Sequence, residues 1–305
     1  MSFLRDGVQP DPVSETAPFI PRRIWQTTKD INEIKPQLRR CTEALSDINP
    51  GWEYRIFDDN SQRDLLARVC SDRFMRAYDR LQPQYGAARA DLFRYIVIYL
   101  YGGAYFDLKS GVIRPLDSIL RDDDLFIISQ WDNGPNGKFP GVGMHRRIKD
   151  IPGGEYEQWF VLSAPGHPYL ANVITRVLQN IEGYNAFRFG HGGSGLLTTI
   201  GPYAYTRAIR EEENLGLHRK ICAWDEGLRY TMFDNLYSHQ RIDEGHYRKK
   251  MLPPVTAHGL HGLDLFRYWL GEIGYWPISV LRYWNYRRLG KRRSKRPGHG
   301  KIPLD

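Results

Sequence analysis

The chain has 305 residues, 41% apolar and 13% aromatic, which is enough for one sizeable α/β domain or two small ones. That composition excludes a chain disordered throughout, a collagen, a coiled coil and a minimal disulfide scaffold. The formal charge of +8 is not spread over the fold: from position 281 onward nine Lys or Arg face one acid, Asp305, leaving 34 basic and 34 acidic side chains in the rest.

Residues 1–19 are rich in Pro, Asp, Ser and Glu, cannot bury enough apolar surface to offset their ordering, and are expected to form a flexible leader. The fold is expected to start at Ile20. A β-rich run over 23–28 comes first, then a helix after Pro36. In NPGWEYRIFDD, Trp52, Tyr54 and Ile56 alternate with polar residues as a strand does. Asn60 or Ser61 would cap the next helix, to about Cys70. The strongest periodic signal, AARADLFRYIVIYLYGG, reads as a helix closed by a glycine pair, followed by the short strand AYFDL. Residues 124–131 read as a strand and 132–154 as a long loop loaded with Gly and Pro, of the kind that is usually functional or mobile. EQWFVLSAP is a further strand, PYLANVITRVLQNI a helix, and IGPYAYTRAIREEE another helix, preceded by the glycine-rich HGGSG. The last segment interleaves aromatics with cations and reads as helical, broken near Pro277. Strands alternating with helices imply a largely parallel sheet covered on both faces.

Cys41, Cys70 and Cys222 are widely spaced, with no CxxC pair, which suits a reduced compartment. No run has signal-peptide character or the ~20 apolar residues that cross a bilayer, so a cytoplasmic chain is expected, touching a membrane peripherally at its inner face if at all.

Chemistry concentrates between Asp91 and Asp117. Asp91 and Arg94 are three apart and share a helix face; on spacing alone a surface ion pair is the commoner reading. The chain then turns through Gly102 and Gly103 into a strand ending at Asp107, and in open α/β sheets ligands bind beyond the carboxyl ends of strands.

These residues carry a resemblance. RADLFRYIVIYLYGGAYFDLKSGVIRPLD resembles the DXD-containing region of the family 32 glycosyltransferases, relatives of yeast mannosyltransferases and, more distantly, of the large clostridial glucosylating toxins. IPRRIWQTTK, NPGWEYRIFDD, FVLSAPGHPYL and IGPYAYTRAI resemble the family's other segments, in the right order over residues 20–209. The resemblance implies a GT-A (Rossmann-like) fold over residues 20–265, followed by an aromatic and basic segment over 266–305. It implies transfer of a hexose, with retention, from a UDP- or GDP-sugar to a glycan or lipid-linked acceptor. By position, Asp91 and Arg94 would hold the donor sugar's hydroxyls, Asp107 would belong to the metal and diphosphate site, and Trp25, Gln26, Thr27, Tyr105 and Phe106 would line the donor cleft. A carboxylate and a guanidinium three residues apart do offer an acceptor and a donor fork to neighbouring hydroxyls.

The sequence departs from the family where Asp-x-Asp becomes Asp107-Leu108-Lys109. Three readings compete. In the first, Lys109 stands in for a metal by neutralising the diphosphate itself; in the second, Asp107 binds Mn²⁺ or Mg²⁺ with help from His258 of TAHGLH; in the third, catalysis has been lost. The third reading makes the chain a silent nucleotide-sugar or carbohydrate-binding module. Trp25 also departs from the pattern and suits a core position better than a base-stacking one. HGGSG is assigned to the acceptor side of the cleft, and the 132–154 loop to closure over the acceptor. Tyr268, Trp269, Tyr275, Trp276, Tyr283, Trp284 and Tyr286, set among cations, suit contact of residues 266–301 with an anionic membrane; a nucleic-acid role through the same tail is the rejected alternative.

Overall fold

Strand and helix alternate along the chain and close into a six-stranded sheet of order β2-β1-β3-β6-β5-β7, with a separate two-stranded ribbon of β4 and β8. This computed structural model describes residues 3–13, 19–233 and 251–293. The strands are β1 (Arg23–Thr27), β2 (Glu53–Phe57), β3 (Gly103–Phe106), β4 (Gly111–Val112), β5 (Phe126–Ser129), β6 (Phe160–Ser163), β7 (Arg219–Ile221) and β8 (Leu228–Arg229). The helices are α1 (Pro36–Asp47), α2 (Asp59–Val69), α3 (Asp72–Asp79), α4 (Gly86–Tyr101), α5 (Pro168–Glu182), α6 (Ala186–Phe189), α7 (Gly192–Thr199), α8 (Pro202–Glu212) and α9 (Gly262–Arg293). β1 runs parallel to β2 and β3, and β5 parallel to β7, whereas β6 is antiparallel to both of its neighbours. Five strands therefore share one direction and β6 alone is reversed. The sheet is the mostly parallel α/β arrangement that the GT-A resemblance implies.

Alternation along each strand builds two cores. Trp25, Tyr105, Phe126, Ile128 and Val161 point to the face covered by α4, α5 and α8, while Ile24, Ala104, Phe106, Ile127, Phe160 and Leu162 point to the other. On that second face α1 contributes Leu45, and the β4–β8 ribbon contributes Val112 and Leu228. Helices thus lie on both faces, unequally. α4 is the central helix: Leu92, Phe93, Tyr95, Ile96, Val97 and Ile98 are all fully buried, so its apolar surface is a full wrap rather than a stripe.

Several expectations need correction. The leader is not loose throughout: Phe3 and Leu4 are buried, Leu4 bridges Cys70, and Asp11 binds both the Leu100 carbonyl and Arg23. Short apolar residues find a groove there that composition does not disclose. The cap of α2 is Asp58, whose carboxylate accepts from Ser61 N–H while Ser61 Oγ accepts from Asp58 N–H. The glycines of HGGSG do not merely precede the helix at Pro202: residues 192–195 open a separate helix, α7. The 132–154 segment is pinned by bonds from Gln130 to the Pro152 and Gly154 carbonyls and from Asn133 to those of Val142 and Gly153. α9 runs unbroken through Pro277 and across the boundary expected at 265/266.

Candidate active site

The turn from α4 into β3 sets the site's geometry. Gly102 and Gly103 have φ of 63° and 98°, and a Cβ on Gly103 would lie 2.5 Å from the Arg23 carbonyl, so this tight hand-over requires glycine. α4 therefore lies back along β3, and its first half ends up beside Asp107, just past the strand's last residue. Reversed β6 starts at the same end: Phe106 pairs with Phe160, and Asp107 N–H donates to the Trp159 carbonyl at 2.9 Å.

Here the four residues singled out in the sequence meet. Arg94 Nη2 lies 3.0 Å from Oδ1 of Asp91 and 3.0 Å from Oδ1 of Asp107, while Lys109 Nζ lies 2.7 Å from Oδ2 of Asp107. Arg94 Nη1 donates to the Gln158 carbonyl, and its guanidinium stacks over the Tyr105 ring, 4.4 Å from the centroid. Asp91 and Arg94 are 5% and 4% exposed, so they form a buried pair and not the surface pair that spacing alone favours. The side chains of Asp107 and Lys109 are 25% and 13% exposed, which makes them the open end of the cluster.

Burial pushes the Asp91 carboxyl up to about 6, against the pull of Arg94 and with the repulsion of Asp107 added. Arg94 is buried too, but Tyr105, Asp107 and Asp91 together hold it fully charged. Two carboxylates, a guanidinium and an ammonium make the cluster charge-balanced.

The other residues expected to touch a donor divide into supports and core. Gln26 Nε2 donates to the main-chain carbonyl of Asp107 at 3.3 Å, and Thr27 shares a hydrogen bond with the Tyr105 hydroxyl at 2.9 Å. Tyr105, fully buried, places its hydroxyl 3.5 Å from Oδ1 of Asp107. All three brace Asp107. Trp25 pairs with Tyr105 in the sheet, but its ring reaches back to the start of β3, where its indole N–H donates to the Gly102 carbonyl at 2.8 Å and it packs on Phe57 and Tyr101. Phe106 is fully buried on the other face of the sheet, against Trp159 and Phe160. Neither ring reaches the cluster.

A divalent metal fits these residues poorly. The second carboxylate of the motif is Lys109, and both oxygens of Asp107 already face cations. His258 is exposed in a turn in which its N–H donates to Thr256 Oγ1, and Thr256 binds Arg80. Among the described residues no three His, Cys, Asp or Glu are grouped to hold a metal ion.

Two partners of the cluster, and one buried carboxyl next to one of them in sequence, escaped the sequence reading. Gln158 contacts Asp91 through Nε2 at 3.5 Å and accepts from the Tyr95 hydroxyl. Lys109 lies over the Tyr230 ring, 4.2 Å from its centroid, and the Tyr230 carbonyl accepts from Ser110 Oγ. Glu157 is buried and accepts from Ser129 Oγ at 2.6 Å and Trp159 Nε1 at 2.9 Å; burial pushes its carboxyl up to about 7. Two acids and a glutamine set among the three aromatics of EYEQWF, leading into a buried strand, are the signal that pointed there.

Comparison with known proteins agrees with the position of this cluster. Residues 36–126, which hold Asp91, Arg94, Asp107 and Lys109, match the family of glycosyltransferase sugar-binding regions containing the DXD motif. The chain is 23% identical over 204 residues to the initiation-specific alpha-1,6-mannosyltransferase of Schizosaccharomyces pombe, covering 64% of this chain and 49% of the relative. It is 36% identical over 108 residues to inositol phosphoceramide mannosyltransferase 3 of the same yeast, covering 35% of this chain and 29% of that protein. A solved structure, the PaToxG glycosyltransferase, aligns over 63% of this chain and 70% of its own, with a TM-score of 0.40 and 12% identity. The chain thus spans about half, or less, of the length of these curated relatives.

Proposed function

We propose that this chain, which carries a sugar-binding region of the DXD-containing glycosyltransferase type, is a retaining transferase that moves a hexose from a nucleotide-sugar donor to a glycan or lipid-linked acceptor. The observation that carries the reading is the Asp91–Arg94–Asp107–Lys109 network at the carboxyl end of β3. Mannose is the first sugar to consider, because both yeast relatives are named mannosyltransferases, one of them acting on a ceramide lipid by its name.

In this reading Asp91 accepts a hydrogen bond from a sugar hydroxyl. Arg94 supplies the donor: its buried Nε has no hydrogen-bond partner among the described residues. The bond from the anomeric carbon to the diphosphate breaks with its electrons going to phosphate oxygen. The acceptor oxygen bonds to the same face of that carbon, and its proton passes to the departing phosphate. Lys109, at the open end of the cluster, neutralises the charge that develops there, a role its poor fit to a metal set favours. The residues 132–154 flank the acceptor side, with Trp131 and Tyr230 in edge contact at 5.2 Å. The three cysteines are unpaired, in keeping with a cytoplasmic setting at the inner face of a membrane.

The test is nucleotide release from GDP-mannose, UDP-glucose, UDP-galactose and UDP-N-acetylglucosamine, each with Mn²⁺, Mg²⁺ or EDTA. Release from one donor that survives EDTA is the expected result. Donor binding by calorimetry without release, across a panel of acceptors, would instead support the second reading, a silent binding module, which the Lys109 substitution favours.

A further inference from the structure

α9 presents two opposite faces. One is docked: Tyr268 and Tyr275 are each 5% exposed, the Tyr268 hydroxyl donates to the Val255 carbonyl at 2.9 Å, and Glu272 meets His191 at 2.9 Å. Gly271 and Gly274 belong to this face, where a Cβ would come within 2.4 Å of Asn185 and 2.3 Å of the Phe187 ring, so the helix lies directly on α6. The other face carries Leu263, Phe266, Trp269, Leu270, Ile273 and Leu281, each between 52% and 71% exposed. Their spacing of three and four residues, and of eight between Ile273 and Leu281, puts them on one stripe about 160° from the docked face, given 100° per residue. From Leu263 to Leu281 the stripe runs ~27 Å at 1.5 Å per residue. An apolar strip of this size on an outer surface marks an interaction site.

We infer that this stripe is a membrane-docking surface, whose occupant is the headgroup and upper acyl region of an anionic bilayer. What selects that occupant is charge. The same helix continues without a break to Arg293, and its final turns carry Arg282, Arg287, Arg288, Lys291, Arg292 and Arg293 in sequence, with no acid among them. An apolar stripe continuous with a cationic end, with Trp and Phe in the stripe, matches a helix that lies in a bilayer interface. No helix among the described residues is long and apolar enough to cross a membrane, so α9 lies along the surface. The anchoring rings differ in part from those expected: Tyr268 and Tyr275 face the fold, Trp269 and Trp276 are exposed, and the side chains of Tyr283, Trp284 and Tyr286, like residues 294–301, lie outside the described residues. The inference stands independently of transferase turnover.

The experiment is co-sedimentation of the full chain with vesicles of phosphatidylcholine alone or mixed with phosphatidylglycerol, at low and high salt. Binding to the mixed vesicles is expected, weakened by salt and reduced about tenfold or more in F266S/W269S/I273S, three exposed positions whose replacement leaves the docked face intact. Circular dichroism and a thermal melt of the variant verify that it folds. Equal binding by variant and wild type would overturn the inference, as would vesicle indifference. A concentration-dependent dimer lost in the variant without vesicle binding would assign the stripe to a second copy, and tighter salt-sensitive binding to oligonucleotides than to vesicles would assign the cations to nucleic acid; either overturns it.

Discussion

Lys109 Nζ lies 2.7 Å from Oδ2 of Asp107, in the motif position where a second carboxylate would otherwise stand. One cation therefore sits on the carboxylate that a metal would need. Replacing it tests which of the two neutralises the diphosphate. In Lys109→Asp, donor turnover without added metal is expected to fall at least tenfold, and Mn²⁺ is expected to restore part of it. Wild-type release abolished by EDTA would overturn this assignment.

Arg94 holds two carboxylates at once; without it the buried Asp91 loses its cation, while Asp107 keeps Lys109. Arg94→Met is expected to cost about 3–5 kcal/mol of stability, the usual penalty for stranding buried charge, read from denaturant midpoints. Arg94→Lys keeps the charge but not the planar fork, so it is expected to fold better than Arg94→Met while remaining poorly active. Equal stability of Arg94→Met and wild type would show that the buried network is dispensable.

Asp91 must be ionised to accept from a sugar hydroxyl, and burial raises its carboxyl to about 6. The kcat/KM profile is therefore expected to fall as pH drops through about 6, rather than near the ordinary carboxylate range. Asp91→Asn is expected to lose that acid limb along with most of the rate. A wild-type profile flat to pH 5 would count against the role.

Glu157 gives a pH signature in stability instead. The folded chain holds its proton more tightly than the unfolded chain does, its carboxyl rising from 4.5 to about 7. Its contribution is thus full below pH 4.5 and lost as pH rises through about 7. Glu157→Gln keeps the size and the hydrogen-bonding capacity, and is expected to be more stable than wild type at pH 8 by about 1–3 kcal/mol, with no gain at pH 4.5. The comparison needs only melts at the two pH values.

Much of this site could be read from the chain because its chemistry is local. Asp91 and Arg94 share a helix turn, and Gly102, Gly103 and Asp107 follow within one hand-over, so a short segment specifies the order of the parts. That Asp91 and Arg94 are buried could not be read from spacing, since α4 is apolar on nearly every side and a periodic stripe gives no hint of a second covered face. Gln158, Glu157 and Tyr230 were hidden for a different reason. Gln158, with Glu157 beside it in sequence, comes to this end of the sheet because β6 runs backwards, and the β4–β8 ribbon carries Tyr230 across to Lys109. Strand direction and ribbon pairing are long-range facts that propensity does not encode. Trp25 and Phe106 show the converse: they neighbour site residues in sequence, yet the ring of one reaches back to Gly102 and the other lies on the wrong face of the sheet.

The docking of residues 3–13 has a consequence for the order of assembly. Phe3 stacks edge-on with Tyr99 at 5.1 Å, Leu4 bridges Cys70, and Asp11 clamps Leu100 and Arg23. Its partners lie on the end of α2, the end of α4 and the start of β1, so the groove it fills does not exist until those three have come together. Residues 3–13 can therefore settle only after the next ninety or so residues have folded, and until then their apolar side chains are exposed to wrong partners.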